Sequence, residues 1–170
     1  MLTPWMYRRW RFDYPAELHP AVIERLRGTP ARATALAEGE PAARLVWRPG
    51  DGWSAQRHLG HLADLEALLW SRLDAYERGD AVLPAADMGN AATVDADHDD
   101  RPIGEVLELV LRRRAETIER VSAYPRDFFA RSAWHERLGI QKRVVDTLTF
   151  FADHDDHHFA LARLVLSRAP

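Results

Sequence analysis

The chain has 170 residues, enough for one domain with a real core, and its charge of −3 with a pI near 6.2 argues against nucleic acid or an anionic membrane as a general partner. It has no cysteine, which excludes disulfides, thiolate-ligated zinc and a cysteine nucleophile and fits a reducing cytoplasm. No signal-peptide run opens it and no later run approaches a membrane span, so the expected location is cytoplasmic.

Residues 5–18 mix aromatic, basic and proline residues without a helical period. They read as an extended lead-in over residues 1–18, laid across the body with Trp5, Trp10 and Phe12. A first helix is expected over about 20–38, entered at Pro20 and interrupted at Gly28-Thr29-Pro30, where Thr29 would cap the continuation. Residues 40–52 read as loop, closing on the turn signal Arg48-Pro49-Gly50-Asp51-Gly52. The second helix, about 54–78, has Ser54 as its N-cap and places Leu59, Leu62, Leu65, Leu68, Leu69 and Leu73 on one broad face.

A long connection follows, ending in the acidic tract Asp95 to Asp100, which reads as a solvated loop. Asp99 or Asp100 would cap a third helix over about 101–122, whose buried side is marked by Ile103, Leu107, Val110, Leu111, Ile118 and Val121. A second connection, through Trp134 to Gly139, leads to a fourth helix over about 141–167. No stretch alternates with period two for long enough to predict a strand. The expectation is an all-α four-helix bundle with long crossover connections, one domain over residues 1–170.

The fourth helix holds the densest chemistry, Phe150-Phe151-Ala152-Asp153-His154-Asp155-Asp156-His157-His158-Phe159. On a helix His154 and His158 lie one turn apart, about 40° from each other down the axis, which lets one element present two imidazoles to one metal ion. Two boundary histidines with hydrogen-bonding neighbours would give the same spacing. Asp155 falls within the apolar stripe, where an unpartnered carboxylate is costly. Helix two carries His58 near the centre of its leucine face and His61 at the edge; spacing alone prefers His58 as a third ligand.

Trp53-Ser54-Ala55-Gln56-Arg57-His58-Leu59-Gly60-His61-Leu62 resembles the opening of helix two in the DinB/YfiT-like family, where a histidine follows the tryptophan by eight residues. His154-Asp155-Asp156-His157-His158 resembles that family's His-x-x-His-His segment, whose first and last histidines bind metal. The run Glu24 to Pro30 and the pair His135 and Gly139 are similar to further family features. The resemblance implies a divalent-metal site, zinc or nickel, at His61, His154 and His158. It also implies a metal-dependent hydrolase, or a transferase that uses a low-molecular-weight thiol, acting on a small-molecule substrate as a homodimer. Leu161 departs from the polar residue that many members carry there.

Three neutral imidazoles leave coordination positions open, as in catalytic metal sites. Asp64 for His61, and Asp153 or Asp155 for the other two, are the local candidates to orient the rings. Arg72, three turns beyond His61, could receive an anionic substrate or a thiol's carboxylate, or snorkel or pair with another helix. Trp47, Trp53 and Trp70 are candidates to line a pocket. No general base stands out, so no residue is assigned to catalysis. The competing expectation is a non-catalytic, stress-associated bundle steadied by metal. A phosphohydrolase built on His-Asp pairs fits poorly, since too little chain follows His154-Asp155.

Overall fold

The computed structural model describes residues 3–170 and is an all-α four-helix bundle with one small hairpin. The first bundle helix is α1 (His19–Arg27) continued by α2 (Thr29–Ala37). Gly28, not Thr29, takes the cap position, and the Thr29 side chain points into the core instead. The loop expected over 40–52 contains one short turn of helix, α3 (Ala42–Leu45). Ser54 caps the second bundle helix by accepting from the Arg57 amide at 2.9 Å. That helix is interrupted at Leu65 into α4 (Ala55–Asp64) and α5 (Glu66–Arg78), and ends at Gly79 with φ +75°, a left-handed cap that suits glycine.

The long connection carries α6 (Ala91–Ala96) and a 3-10 turn, His98–Asp100. The acidic tract is not solvated along its length: His98 is fully buried, Asp99 pairs with Arg48 at 2.5 Å and accepts from Ser54, and Gln56 donates to the His98 and Arg101 carbonyls. Neither aspartate caps the third bundle helix, α7 (Ile103–Ser122); Pro102 precedes it. Leu111, expected inside, is 55% exposed.

The fourth helix also differs from its expected start. Gln141 to Arg143 belong to β2 (Ile140–Arg143), paired antiparallel with β1 (Ser132–His135) in the register Ser132↔Arg143 to His135↔Ile140. The helix proper, α8, runs Val144–Leu166, its first turn fixed by Asp146, which accepts from the Arg143 amide and guanidinium. No helix among the described residues is long and apolar enough to cross a membrane.

The core is two apolar clusters with a polar layer between them. One is built around Leu26, Leu69, Leu73, Ile118, Val121 and Phe151, the other around Ala33, Leu59, Leu62, Val106, Val110 and Phe159. Between them every bundle helix contributes a polar residue: Thr29, Glu66, Arg114 with Thr117, and Asp155, all at most 2% exposed. Arg114 pairs with Glu66 at 2.7 Å and with Asp155 at 3.0 Å, and Thr29 donates to Asp155 at 2.6 Å. Thr117, which accepts from the Trp70 indole at 2.6 Å, donates to Glu66.

Burial pushes Glu66 up to about 7 despite Arg114, and pushes Asp155 up as well. Removing the cation leaves two buried carboxylates facing each other. Arg114→Met should therefore cost about 3–5 kcal/mol in urea unfolding, and a loss below about 1 kcal/mol would contradict this account. Glu66 holds its proton more tightly folded than unfolded. Its contribution is thus complete below its ordinary value of 4.5 and is lost as pH rises through about 7. Glu66→Gln should gain on wild type across that window, by up to about 1.4 kcal/mol per pH unit, while the other titrating groups cancel in the comparison.

Candidate metal centre

The side chains of α4 and α8 meet along their length, and five histidines lie at that contact: His58 and His61 from α4, His154, His157 and His158 from α8. One nitrogen each of His61, His154 and His158 lies within 4.8 Å of the others, and all three residues are buried. Their ring centroids are 4.3–5.1 Å apart. His58 is excluded from this triangle but touches it, its Nδ1 lying 2.9 Å from Nδ1 of His158. His157 points aside and accepts from Arg8 at 3.0 Å.

Burial holds every ring in the group below the ordinary histidine range: His58 is lowered to about 3, His61 to about 4, and His154 and His158 well below 6.5. Desolvation is the main cause, with the neighbouring rings adding to it. Neutral imidazoles each keep one lone pair free for a ligand bond.

The tautomer of His61 follows from its partners. Thr93 donates its hydroxyl proton to Asp64 at 3.0 Å, so its oxygen accepts from His61 Nδ1–H at 2.8 Å, and the lone pair is left on Nε2. Asp64 is itself held by His98 Nε2 at 2.7 Å and faces Arg113 at 3.5 Å. Asp64 was foreseeable as a neighbour of His61, but it acts through Thr93, which the sequence did not single out. Asp153 and Asp155 do not reach the rings: Asp153 binds Arg25 at 2.8 Å, and Asp155 belongs to the Arg114 layer.

A cavity of about 260 Å³ opens beside the triangle. Trp5, Trp53, Leu65, Leu68, Phe150 and Phe151 form its apolar wall, and Arg72, Arg137 and Asp87 its charged edge. Trp5 stands edge-on to His154 at 4.9 Å and Trp53 edge-on to His61 at 5.0 Å. Of the three tryptophans considered from the sequence, only Trp53 lines this space; Trp47 packs on the cluster around Leu59, and Trp70 donates to Thr117. Trp5, in the lead-in, and Arg137, in the turn of the hairpin, reach the cavity from segments without a periodic signal.

The residues fit a divalent ion by two observations. The donor set is three neutral nitrogens with an open side, and His154 Nδ1 is buried without a hydrogen-bond partner.

Close approach at Gly60 is part of the same construction. A Cβ there would lie 2.3 Å from the His98 ring, which must sit against α4 to reach Asp64. Gly60→Ala should displace His98, release Asp64 and lower the midpoint of thermal unfolding by several degrees. His98→Ala in the same background should recover part of that loss, since it removes the clash. A Gly60→Ala protein as stable as wild type would show that the ring approach is unimportant.

No curated protein matches the chain. Among solved structures, YfiT from Bacillus subtilis, described as a probable metal-dependent hydrolase with an unusual four-helix bundle topology, shares the fold. The match has a TM-score of 0.80 over 95% of this chain and 93% of that one, at 18% sequence identity. The sequence itself matches the DinB superfamily over residues 25–162, most of its length, and the chain belongs to that superfamily.

Proposed function

We propose that the chain is a metal-dependent enzyme in which His61, His154 and His158 hold one divalent ion, zinc or nickel. Its reaction is hydrolysis of a small molecule or transfer to a low-molecular-weight thiol. The observation that carries this reading is the meeting of three buried imidazoles on the wall of a cavity. YfiT's description as a probable metal-dependent hydrolase supports it. When bound, such an ion polarises an electrophile and activates water or a thiol near neutral pH.

The protein's own groups supply orientation and dryness. Thr93 and Asp64 fix the His61 ring, and His58 steadies His158. If His158 offers Nε2, its Nδ1–H donates to His58, whose own Nδ1 then accepts. Trp5, Trp53 and Phe150 keep water from the apolar side of the cavity.

A second reading, a non-catalytic metal-binding bundle, draws on one observation. Asp87, the one carboxylate on the cavity wall among the described residues, spends its oxygens on the Gly89 and Ala91 amides, at 2.8 and 2.6 Å. That carboxylate is therefore not free to act as a general base.

Metal content by mass spectrometry of tag-free protein tests the site. Wild type should carry one equivalent of zinc or nickel, His61→Ala and His158→Ala should lose it, and His58→Ala should keep it with weaker affinity. Thr93→Val should fold normally and bind about 10–100-fold more weakly in a chelator competition. A wild-type protein that cannot be loaded with either metal would overturn the reading. Loss in the His58 variant with retention in the His61 variant would move the third ligand to His58.

A further inference from the structure

The cavity beside the histidines has an uncompensated cationic end. Arg72 is 2% exposed and lines the cavity, yet among the described residues no carboxylate pairs with it. Its Nε donates to the Pro84 carbonyl at 3.2 Å and its Nη2 to His135 Nε2 at 3.3 Å. Burial and the Arg137 charge help pull Arg72 down to about 10, and His135 is held neutral, lowered to about 4 by burial and by Lys142, Arg72 and Arg137. The second guanidinium of the wall, Arg137, is also without an ion-pair partner among the described residues and meets only Met6 Sδ at 3.7 Å.

A buried lysine lies behind them. Lys142 is fully buried, its Nζ has no hydrogen-bond partner and sits 3.9 Å from the Phe150 ring centroid and 5.0 Å from that of Phe12, and burial with the Arg72 charge holds it well below the ordinary lysine range. The nearby carboxylate that acts on Lys142, Asp146, is already engaged by Arg143 at 2.7 Å. Asp87, across the cavity, is held by backbone amides. One buried guanidinium, Arg72, and one exposed one, Arg137, therefore bear on one end of the cavity, and no carboxylate among the described residues pairs with either. Buried charge left unpaired is costly, and a held guanidinium gives a carboxylate a charge-assisted hydrogen bond.

Resting on the reading of this cavity as the substrate site, we propose that it takes a small organic acid. The carboxylate sits on Arg72 and Arg137, and the reacting end lies against His61, His154 and His158. The anchored Nε and Nη2 of Arg72 set the direction of its remaining nitrogen without an ordering cost on binding. The volume of about 260 Å³ admits a molecule of a few carbons rather than an extended chain. Charge at one end and imidazoles at the other select molecules with an acid group separated from the electrophile or thiol.

Calorimetric titration with 3-mercaptopropionate and with its neutral amide tests this on both metal-free and zinc-loaded protein. The metal-free protein should prefer the acid over the amide by about tenfold or more. That preference should vanish in Arg72→Met and shrink in Arg137→Met, an exposed position where the fold is not at stake. Zinc loading should raise the affinity of both probes through the thiol, leaving their ratio nearly unchanged. A ratio that survives while zinc adds nothing would retain the acid site and overturn the metal reading. Equal affinity of acid and amide, or an acid preference undiminished in both variants, would overturn the proposal.

Discussion

One arginine holds the bundle in register. Arg114 sits midway along α7, between Val110 of one apolar cluster and Ile118 of the other, and reaches both Glu66 on α5 and Asp155 on α8. Thr29 completes the layer from α2. Apolar packing alone tolerates helix rotations and slides of one turn, because one leucine-rich stripe resembles the next. A buried guanidinium with two carboxylate partners does not, since any slip strands a charge in the core. The layer therefore trades stability for a single arrangement, and four helices share its cost.

The histidines inherit that arrangement. Asp155 lies between His154 and His158 in sequence, so pinning Asp155 toward Arg114 fixes the phase of α8. With α8 in that phase His154 and His158 face α4. Glu66, just beyond the interruption at Leu65, pins the other side, so His61 meets them at a set depth. The orientation of the His61 ring comes from a separate chain of contacts, His98 to Asp64 to Thr93 to His61, supplied by the connection that crosses α4. The acidic tract is folded down for this purpose by Ser54, Arg48 and Gln56. Helix phase and ring tautomer are thus governed by different parts of the chain.

This division explains what the sequence discloses. Helix existence follows from leucine spacing and caps, and Ser54 is a cap as expected. Spacing alone prefers His58 to His61, and in the structure both lie on the face that meets α8, His61 among the clustered rings and His58 2.9 Å from His158. Asp155 is visibly inward, but its partner Arg114 is one of three consecutive arginines that the apolar spacing of the helix passes over. Strands β1 and β2 have four residues each, and the fully buried member of β2 is a lysine, so no apolar alternation marks them. Leu111 lies outside because it is about 100° round the helix from Val110, off the face that Val106, Val110, Arg114, Thr117 and Val121 turn inward.

The cavity is built from two kinds of structure with different freedom to change. Its three clustered histidines come from α4 and α8, whose inward residues are packed on every side. Most of its remaining polar and flexible wall comes from elsewhere: Trp5 and Met6 from the lead-in, Asp87, Met88 and Asn90 from the long connection, Arg137 from the hairpin turn. Substitutions in those segments disturb few core contacts, so they can alter what enters the cavity without moving the histidines. Arg72 is the exception, because it rises from the bundle itself and is tied to Pro84 and His135. A cation fixed that firmly belongs to the scaffold's side of the division, with the imidazoles. The charge preference of the cavity should therefore be as deep a property of this fold as its nitrogen cluster, and its shape a shallower one.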